Sequence, residues 1–384
     1  VSVRYKSIDS IRGFSLLGIL LVNMPDFYSP HLYMSQEKPF SRDIASFSID
    51  VLARASFYPL FAMLFGFGFM MMFENARKQG HSFSSMYRRR LVGLFLLGCI
   101  HAFLIWYGDI LISYALCGAV LWFFKDASVK RLLTSGLVIC LIPVFIVTSL
   151  LVVSGDTTEE TGLYQHIIKE SFETYASGTF GMIVHQRLQD WLYLNNIYSV
   201  PFLFVSIFPF FLFGAAAAKA RVVQKVENYV LFLKGTLLLS ACFFLLGKLL
   251  PYIVGENAVM RYVHDSIGGP AGSLFYGSFL LLILRKKVGQ KLMSPFAAMG
   301  KLSLTNYLGQ SVLSTLLFYS YGAGLYGKIS TLEGIGITFF IFWVQMIVSN
   351  WWMKNHLFGP IEWLLRSFIR RQKQPWKRAE IEQN

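Results

Sequence analysis

The chain has 384 residues, of which 55% are hydrophobic and 16% aromatic, against 15% charged. A soluble globular domain carries about 25% charge, so this composition argues against one, and apolar runs of about 20 residues recur along the chain. The net charge of +14 is what Lys- and Arg-rich cytoplasmic loops give a membrane protein; no DNA- or RNA-binding signature accompanies it, and nucleic acid is not an expected partner.

The expected fold class is therefore all-α: a polytopic membrane helix bundle. About ten spans are predicted, near 11–28, 49–73, 90–107, 109–124, 132–153, 197–218, 230–254, 268–284, 303–321 and 332–352. With a cytoplasmic N-terminus, 26 Lys and Arg fall in inner segments and 6 in outer ones. That bias predicts that both termini are cytoplasmic. The first run follows Arg4, Lys6 and Arg12 as in a signal peptide, but no small-x-small cleavage site follows it, so it is read as a retained helix. Residues 1–353 form the expected bundle. Residues 354–384 form a basic amphipathic tail, in which Pro360 opens a helix carrying Trp363, Leu364, Arg366, Arg370 and Arg371. The longest outer segment, 154–196, is expected to hold one or two short surface helices, and a lid over an outward pocket is its functional alternative.

Taken in chain order, the first run starts Ile8-Asp-Ser-Ile-Arg-Gly13. Asp9 and Arg12 share a helix face, as an ion pair or as a site where Arg12 holds the phosphates of a cytoplasmic donor. Asn23, Asp26 and His31 follow at the outer end, and Asp50 and Arg54 open the second run. The stretch Ile100-His-Ala-Phe-Leu-Ile-Trp-Tyr-Gly-Asp109 reads as a tight turn between antiparallel helices. His101 lies below the aromatic rim set by Trp106, and Asp109 opens the next helix, where the macrodipole favours its charge. Ionisable groups at membrane depth mark functional sites by default. Asn23, Asp26, Asp50, Arg54, His101 and Asp109 are thus expected to form one polar ring, lining a cavity open to the outer side. His264-Asp265 could join it or belong to a solvated loop. In the ninth run, Ser303, Asn306 and Gln310 recur at helical spacing, as one wall of a substrate channel or as interhelical hydrogen bonds.

Cys99, Cys117, Cys140 and Cys242 all lie in apolar runs, without C-x-x-C spacing, so neither a disulfide nor a zinc site is expected. Walker A, G-x-G-x-x-G and H-E-x-x-H patterns are missing, and no metal site is predicted. Gly66 and Gly68 read as packing residues.

Several of these motifs, in order along the whole chain, resemble the YeiB-like bacterial membrane proteins, the domain of unknown function 418. The matching stretches are Ile8-Asp-Ser-Ile-Arg-Gly13 with Gly18-Ile-Leu-Leu-Val-Asn23, Phe61 to Gly68, His101 with Trp106 and Gly108-Asp-Ile-Leu111, Gly300 to Leu308, and Gly359-Pro-Ile-Glu-Trp363. The opening is also similar to that of the wider transmembrane acyltransferases, including the heparan-glucosaminide acetyltransferase. That resemblance implies transfer of an acyl group from a cytoplasmic donor, acetyl-CoA or another acyl-CoA, to a small-molecule or glycan acceptor across a bacterial cytoplasmic (inner) membrane, with membrane lipid as a partner. Many such enzymes place a catalytic histidine where this chain has Asn23. The glucosaminide branch has asparagine there and a histidine in the following loop, a part His31 could play. His101 or His31 would then be general base or transient acyl carrier, oriented by Asp109 or Asp26. Asn23, Asp50, Arg54, Trp106, Asn306 and Gln310 would contact substrate, and Arg12 the donor. A transporter for a small anionic or amphipathic solute, and a non-catalytic membrane assembly or stress factor, are the competing classes.

Overall fold

A computed structural model describes residues 5–37, 43–80, 82–154 and 161–378. Of the described residues, 82% are helical and none forms a strand. Seven helical segments are long and apolar enough to cross a membrane: Lys6–Tyr28, Ile44–Lys78, Val129–Ser154, Ser199–Lys219, Val226–Val254, Ala258–Leu284 and Thr331–Asn355. The other three expected spans correspond to shorter helices. They are α5 (Phe83–Ile100), continued by a turn of π-helix at His101–Ile105, α6 (Leu111–Leu121) and α16 (Ser303–Phe318).

The first long helix is α1 (Lys6–Tyr28), followed by the short α2 (His31–Glu37). The next segment is broken into α3 (Ile44–Leu52) and α4 (Phe57–Lys78), where one unbroken run was expected. Ala55 takes a left-handed φ of 58° at the break. The ladder loses its partner there, and the Lys248 Nζ takes up the Arg54 carbonyl at 2.7 Å, as broken backbone in a low-dielectric interior requires. The bundle continues through α7 (Val129–Ser154), α8 (Thr161–Ser177), α9 (Phe180–Leu194), α10 (Ser199–Lys219), α11 (Val230–Val254) and α12 (Ala258–Val263). A second π-turn, His264–Gly268, leads into α13 (Gly269–Leu284). Then come α14 (Lys287–Leu292), α15 (Ser294–Lys301), α16, α17 (Thr331–Asn355) and α18 (Pro360–Arg370).

Close packing rests on small residues. A Cβ on Gly66 would strike the Phe211 carbonyl, and one on Gly214 the Met63 carbonyl, so α4 and α10 touch backbone to backbone. Gly13 and Gly300 bring α1 and α15 together in the same way. Gly68 has open space beside it, so packing explains Gly66 and leaves Gly68 without a partner to accommodate. α7 is peripheral, since only Leu132 and Gly136 are buried along it.

Hydrogen bonds and ion pairs join like ends of neighbouring segments. At the basic end the Ser10 Oγ donates to the Met293 carbonyl, Lys219 to the Ala127 carbonyl, and Arg285 pairs with Glu227. At the opposite end Tyr252 bonds Asp50, and the Gly327 N–H meets the Tyr28 carbonyl. α18 lies at the basic end with Pro360 in its first turn, as expected. Residues 161–194 hold two helices, α8 and α9, within the number expected there. Trp191 on α9 lies edge-on to Phe103 at 5.3 Å.

Candidate functional site

The α5–α6 hairpin positions the first centre. Tyr87 on α5 donates to the Gly118 carbonyl of α6 at 2.8 Å, and Gly98 lets Ile112 and Asp109 approach. The helices are therefore antiparallel neighbours. His101 begins the π-turn, the local irregularity that often accompanies a functional position. Its Nδ1 is 2.9 Å from the Asp109 Oδ1, and its Nε2 is 2.9 Å from the Ser311 Oγ on α16. Asp109 also accepts the Ile112 N–H at 2.8 Å through Oδ2, closing the start of α6 as a cap does.

With the carboxylate ionised and the imidazole neutral, the Nδ1 carries the proton toward Asp109 and the Nε2 accepts the Ser311 hydroxyl. Asp109, His101 and Ser311 thus form one line of hydrogen bonds across three segments. The His101 and Asp109 side chains are both 0% exposed. The expected open wall is corrected here: His101 is enclosed, because Tyr307 lies against its ring at 5.0 Å and Trp106 at 6.2 Å. Trp106 is itself pressed on Phe27, with ring centres 4.3 Å apart, and its buried Nε1–H meets no acceptor among the described residues.

The expected single ring divides into two centres. The second is built on Arg54, which pairs with Asp265 at 3.2 Å and with Asp50 at 3.6 Å. The Asp265 Oδ1 meets the His264 Nδ1 at 2.8 Å, and the Lys248 Nζ lies 3.4 Å from the same nitrogen. His264 and Lys248 are fully buried. The alternative of a solvated loop at His264-Asp265 is overturned, because both residues sit in the π-turn inside a continuous helical segment.

The remaining candidates fall around these centres. Asp26 accepts a long bond of 3.5 Å from the Tyr107 hydroxyl and lies within the field of Arg54, so it stands between the two. His31, at the start of α2, has no place in the His101 line; burial and the Arg54 charge push its pKa down to about 4. Asn23 is half-buried on α1 and bonds to neither centre. Asn306 donates to the Ser349 Oγ at 2.9 Å and the Met299 carbonyl at 3.2 Å, tying α16 to α17 and α15. Gln310 is buried one position before Ser311, with its Nε2 unpartnered among the described residues. Arg12 pairs with Asp9 at 3.3 Å at the basic end, as the spacing predicts.

Three contributions escaped the sequence reading. Ser311 carries a signal in retrospect: Ser303, Tyr307 and Ser311 recur every fourth residue, on one face. Lys248 is a cation deep in an apolar run, itself a marker. Arg187 and Asp190 on α9 left no such trace. Asp190 takes the Tyr33 and Tyr175 hydroxyls and the Gln186 amide. Arg187 donates to the Leu104 carbonyl and the Tyr321 hydroxyl, each at 2.7 Å. α9 is thereby fastened to the π-turn that carries His101.

Residues 217–372 match the family model described as "Protein of unknown function (DUF418)". The uncharacterized protein YxaH of Bacillus subtilis is 36% identical over 380 residues, spanning 94% of this chain and 92% of that protein. The chain belongs to the DUF418 family. Uncharacterized YeiB of Escherichia coli is 26% identical over 399 residues, covering 97% of this chain and 98% of its own. An uncharacterized 39.9 kDa protein of Bacillus acidopullulyticus is 27% identical over 390 residues, with 97% and 95% covered. The matched family region contains Lys248, His264, Asp265 and Ser311, whereas the His101–Asp109 hairpin precedes it.

Proposed function

We propose that this family member is a membrane acyltransferase, with His101 as general base, Asp109 orienting it and Ser311 as the hydroxyl that receives the acyl group. The observation that carries the reading is the buried Asp109–His101–Ser311 line, with 2.9 Å at each step. It has the order that activates a serine in acyl transfer: carboxylate, imidazole, hydroxyl. The Ser311 Oγ would attack the thioester carbonyl of an acyl-CoA while its proton moves to the His101 Nε2. The carbon–sulfur bond breaks, and the thiolate takes that proton. A hydroxyl of the acceptor then attacks the Ser311 ester, giving its proton through His101 back to the Ser311 Oγ. The unpartnered Trp106 Nε1–H stands beside this line as a donor for a substrate oxygen.

Placement follows the same reading. Ten spans, with the three shorter helices crossing inside the bundle, put both termini on the cytoplasmic side of a bacterial inner membrane. The like-end contacts and the Lys/Arg distribution support that count. Arg12 at the basic end would face the donor's phosphates. Helices α8 and α9 would be the lid, since His101 must be uncovered for an acceptor to reach it. The test compares wild type, His101→Ala, Ser311→Ala and His31→Ala at equal membrane expression, with radiolabelled acetyl-CoA and membrane lipids or glycans as acceptors. Loss of at least about 100-fold is expected for His101→Ala and Ser311→Ala and little change for His31→Ala, in the range of about 10²–10⁴ that acid–base groups contribute. A hydroxylamine-labile label on the wild-type protein, missing in Ser311→Ala, is expected. Transfer that survives Ser311→Ala and fails with His31→Ala would invert the assignment.

The charged cluster around Arg54 favours a second reading, a solute transporter, because buried ionisable networks also line solute and proton paths. Solute uptake by a wild-type protein that transfers no acyl group would favour it.

A further inference from the structure

A cleft of about 530 Å³ lies between α7, α10 and the π-turn at His264–Gly268, inside the range of about 300–1,000 Å³ typical of small-molecule sites. No residue of the Asp109–His101–Ser311 line borders it. Its lining is mixed: Val144 on α7, Leu203 and Phe210 on α10, and Leu32 are apolar. Asp265, Ser266, Ser206 and Tyr58 are polar, as are Asn196 and Ser199. One side of the cleft is Cys140 and Val144 of the peripheral α7, so it lies toward the bilayer side of the bundle and suits a molecule with an apolar chain.

Asp265 decides the head of that molecule. One of its oxygens takes His264 and the other Arg54, which fixes the carboxylate from behind. The side chain nevertheless remains 39% exposed. A carboxylate has about four lone-pair sites, so further donors can be accepted after those two bonds. The cluster behind it is formally balanced, with Asp50 and Asp265 against Arg54 and Lys248. A charged head would upset that balance inside a low-dielectric wall, whereas an uncharged O–H donor would not.

We propose that this cleft is a second ligand site, binding a lipid-like amphiphile whose uncharged, hydroxylated head, a sugar or polyol, donates to Asp265 while its chain lies along α7 and α10. The site does not depend on acyl chemistry at His101. The test uses full-length protein in phosphatidylcholine nanodiscs and dodecyl β-D-glucoside carrying a diazirine on its chain. Dodecyl phosphocholine and dodecyl trimethylammonium with the same diazirine serve as comparisons. The glucoside is expected to label peptides spanning residues 140–144 and 202–210, roughly tenfold more than either comparison, the ratio one charge-assisted hydrogen bond supplies. Asp265→Asn should remove that preference. Val144→Trp, which fills the cleft from its α7 side, should abolish labelling of both peptides. Thermal unfolding of each variant separates lost binding from lost fold, and if Asp265→Asn does not fold, Val144→Trp decides. Equal labelling by the three probes, strongest labelling by the trimethylammonium, or labelling unchanged in a folded Val144→Trp would overturn the proposal.

Discussion

An imidazole sealed in protein must bond through both nitrogens or lose about 1–3 kcal/mol for each group left without a partner. His101 meets this demand with Asp109 and Ser311. The two substitutions on either side of the ring should therefore differ in stability. Ser311→Ala removes one neutral bond and is expected to cost about 1 kcal/mol. Asp109→Ala strips both the imidazole and the start of α6 of an acceptor, and should cost about 3 kcal/mol or more. Thermal unfolding in one detergent, referenced to wild type, measures both; equal shifts would show that the line is not a connected unit. Gly108 matters at the same scale. A Cβ there would overlap the Trp106 ring, so Gly108→Ala should push Trp106 off His101, at a cost of about 1–3 kcal/mol. A change in indole emission should accompany it, and unchanged emission and stability would remove the steric argument.

Two elements outside the Asp109–His101–Ser311 line hold the segments that carry it: α18 holds α16, and α9 holds the π-turn. α18 reaches the start of α16 through Glu362, which accepts the Leu304 and Thr305 N–H groups and the Thr305 hydroxyl. These bonds join the two motifs that the sequence shows as separate stretches, Gly300 to Leu308 and Gly359 to Trp363. Burial raises the Glu362 pKa above its ordinary value, against those same hydrogen bonds. With the folded value raised, the folded state binds the extra proton. Its contribution is fully present below the ordinary glutamate range and is lost as pH rises through the folded value. Glu362→Gln should flatten stability across that window while costing about 1 kcal/mol of cap at low pH; a slope identical to wild type would sink the linkage. At the other end, Arg187→Met should release α9 from Leu104 and Tyr321. Hydrogen exchange is expected to rise across residues 161–194, with little change in α4 or α10. Exchange that stays low in α8 and α9 would mean that these helices are held without the Arg187 bonds.

At the scale of the molecule, the proposed ten spans make a simple prediction about sides. Seven long spans alone would put the two termini on opposite faces; ten put them together. Ser82 and Lys169 are both solvent-facing, so single cysteines there, in a background without the native four, can be labelled by an impermeant maleimide. Residue 169 should react in intact cells and residue 82 only after lysis. Reaction of residue 82 from outside would end the topology.

Much of this protein could be read from its sequence, because a bilayer leaves few options. Long apolar runs must be helices that satisfy their own backbone bonds, so helix order, the hairpin at Gly108 and the helix opened by Pro360 were legible from local pattern. His101, Asp109, Asp50 and Arg54 also stood out, since an ionisable residue in an apolar run is conspicuous on its own. Which of them meet was not legible. Sequence depth placed six polar residues at one level and merged them into one ring, but level says nothing about angle around the bundle. Only the packing of α16 against the hairpin gives His101 a serine, and only the break at Ala55 with the π-turn at His264 gives Arg54 its carboxylate. Those partners are about 210 residues apart in both cases, at separations of 210 and 211, where periodicity carries no information. Local chemistry fixes an element from its own residues; a site made by side chains from distant elements exists only once tertiary contacts have chosen their neighbours.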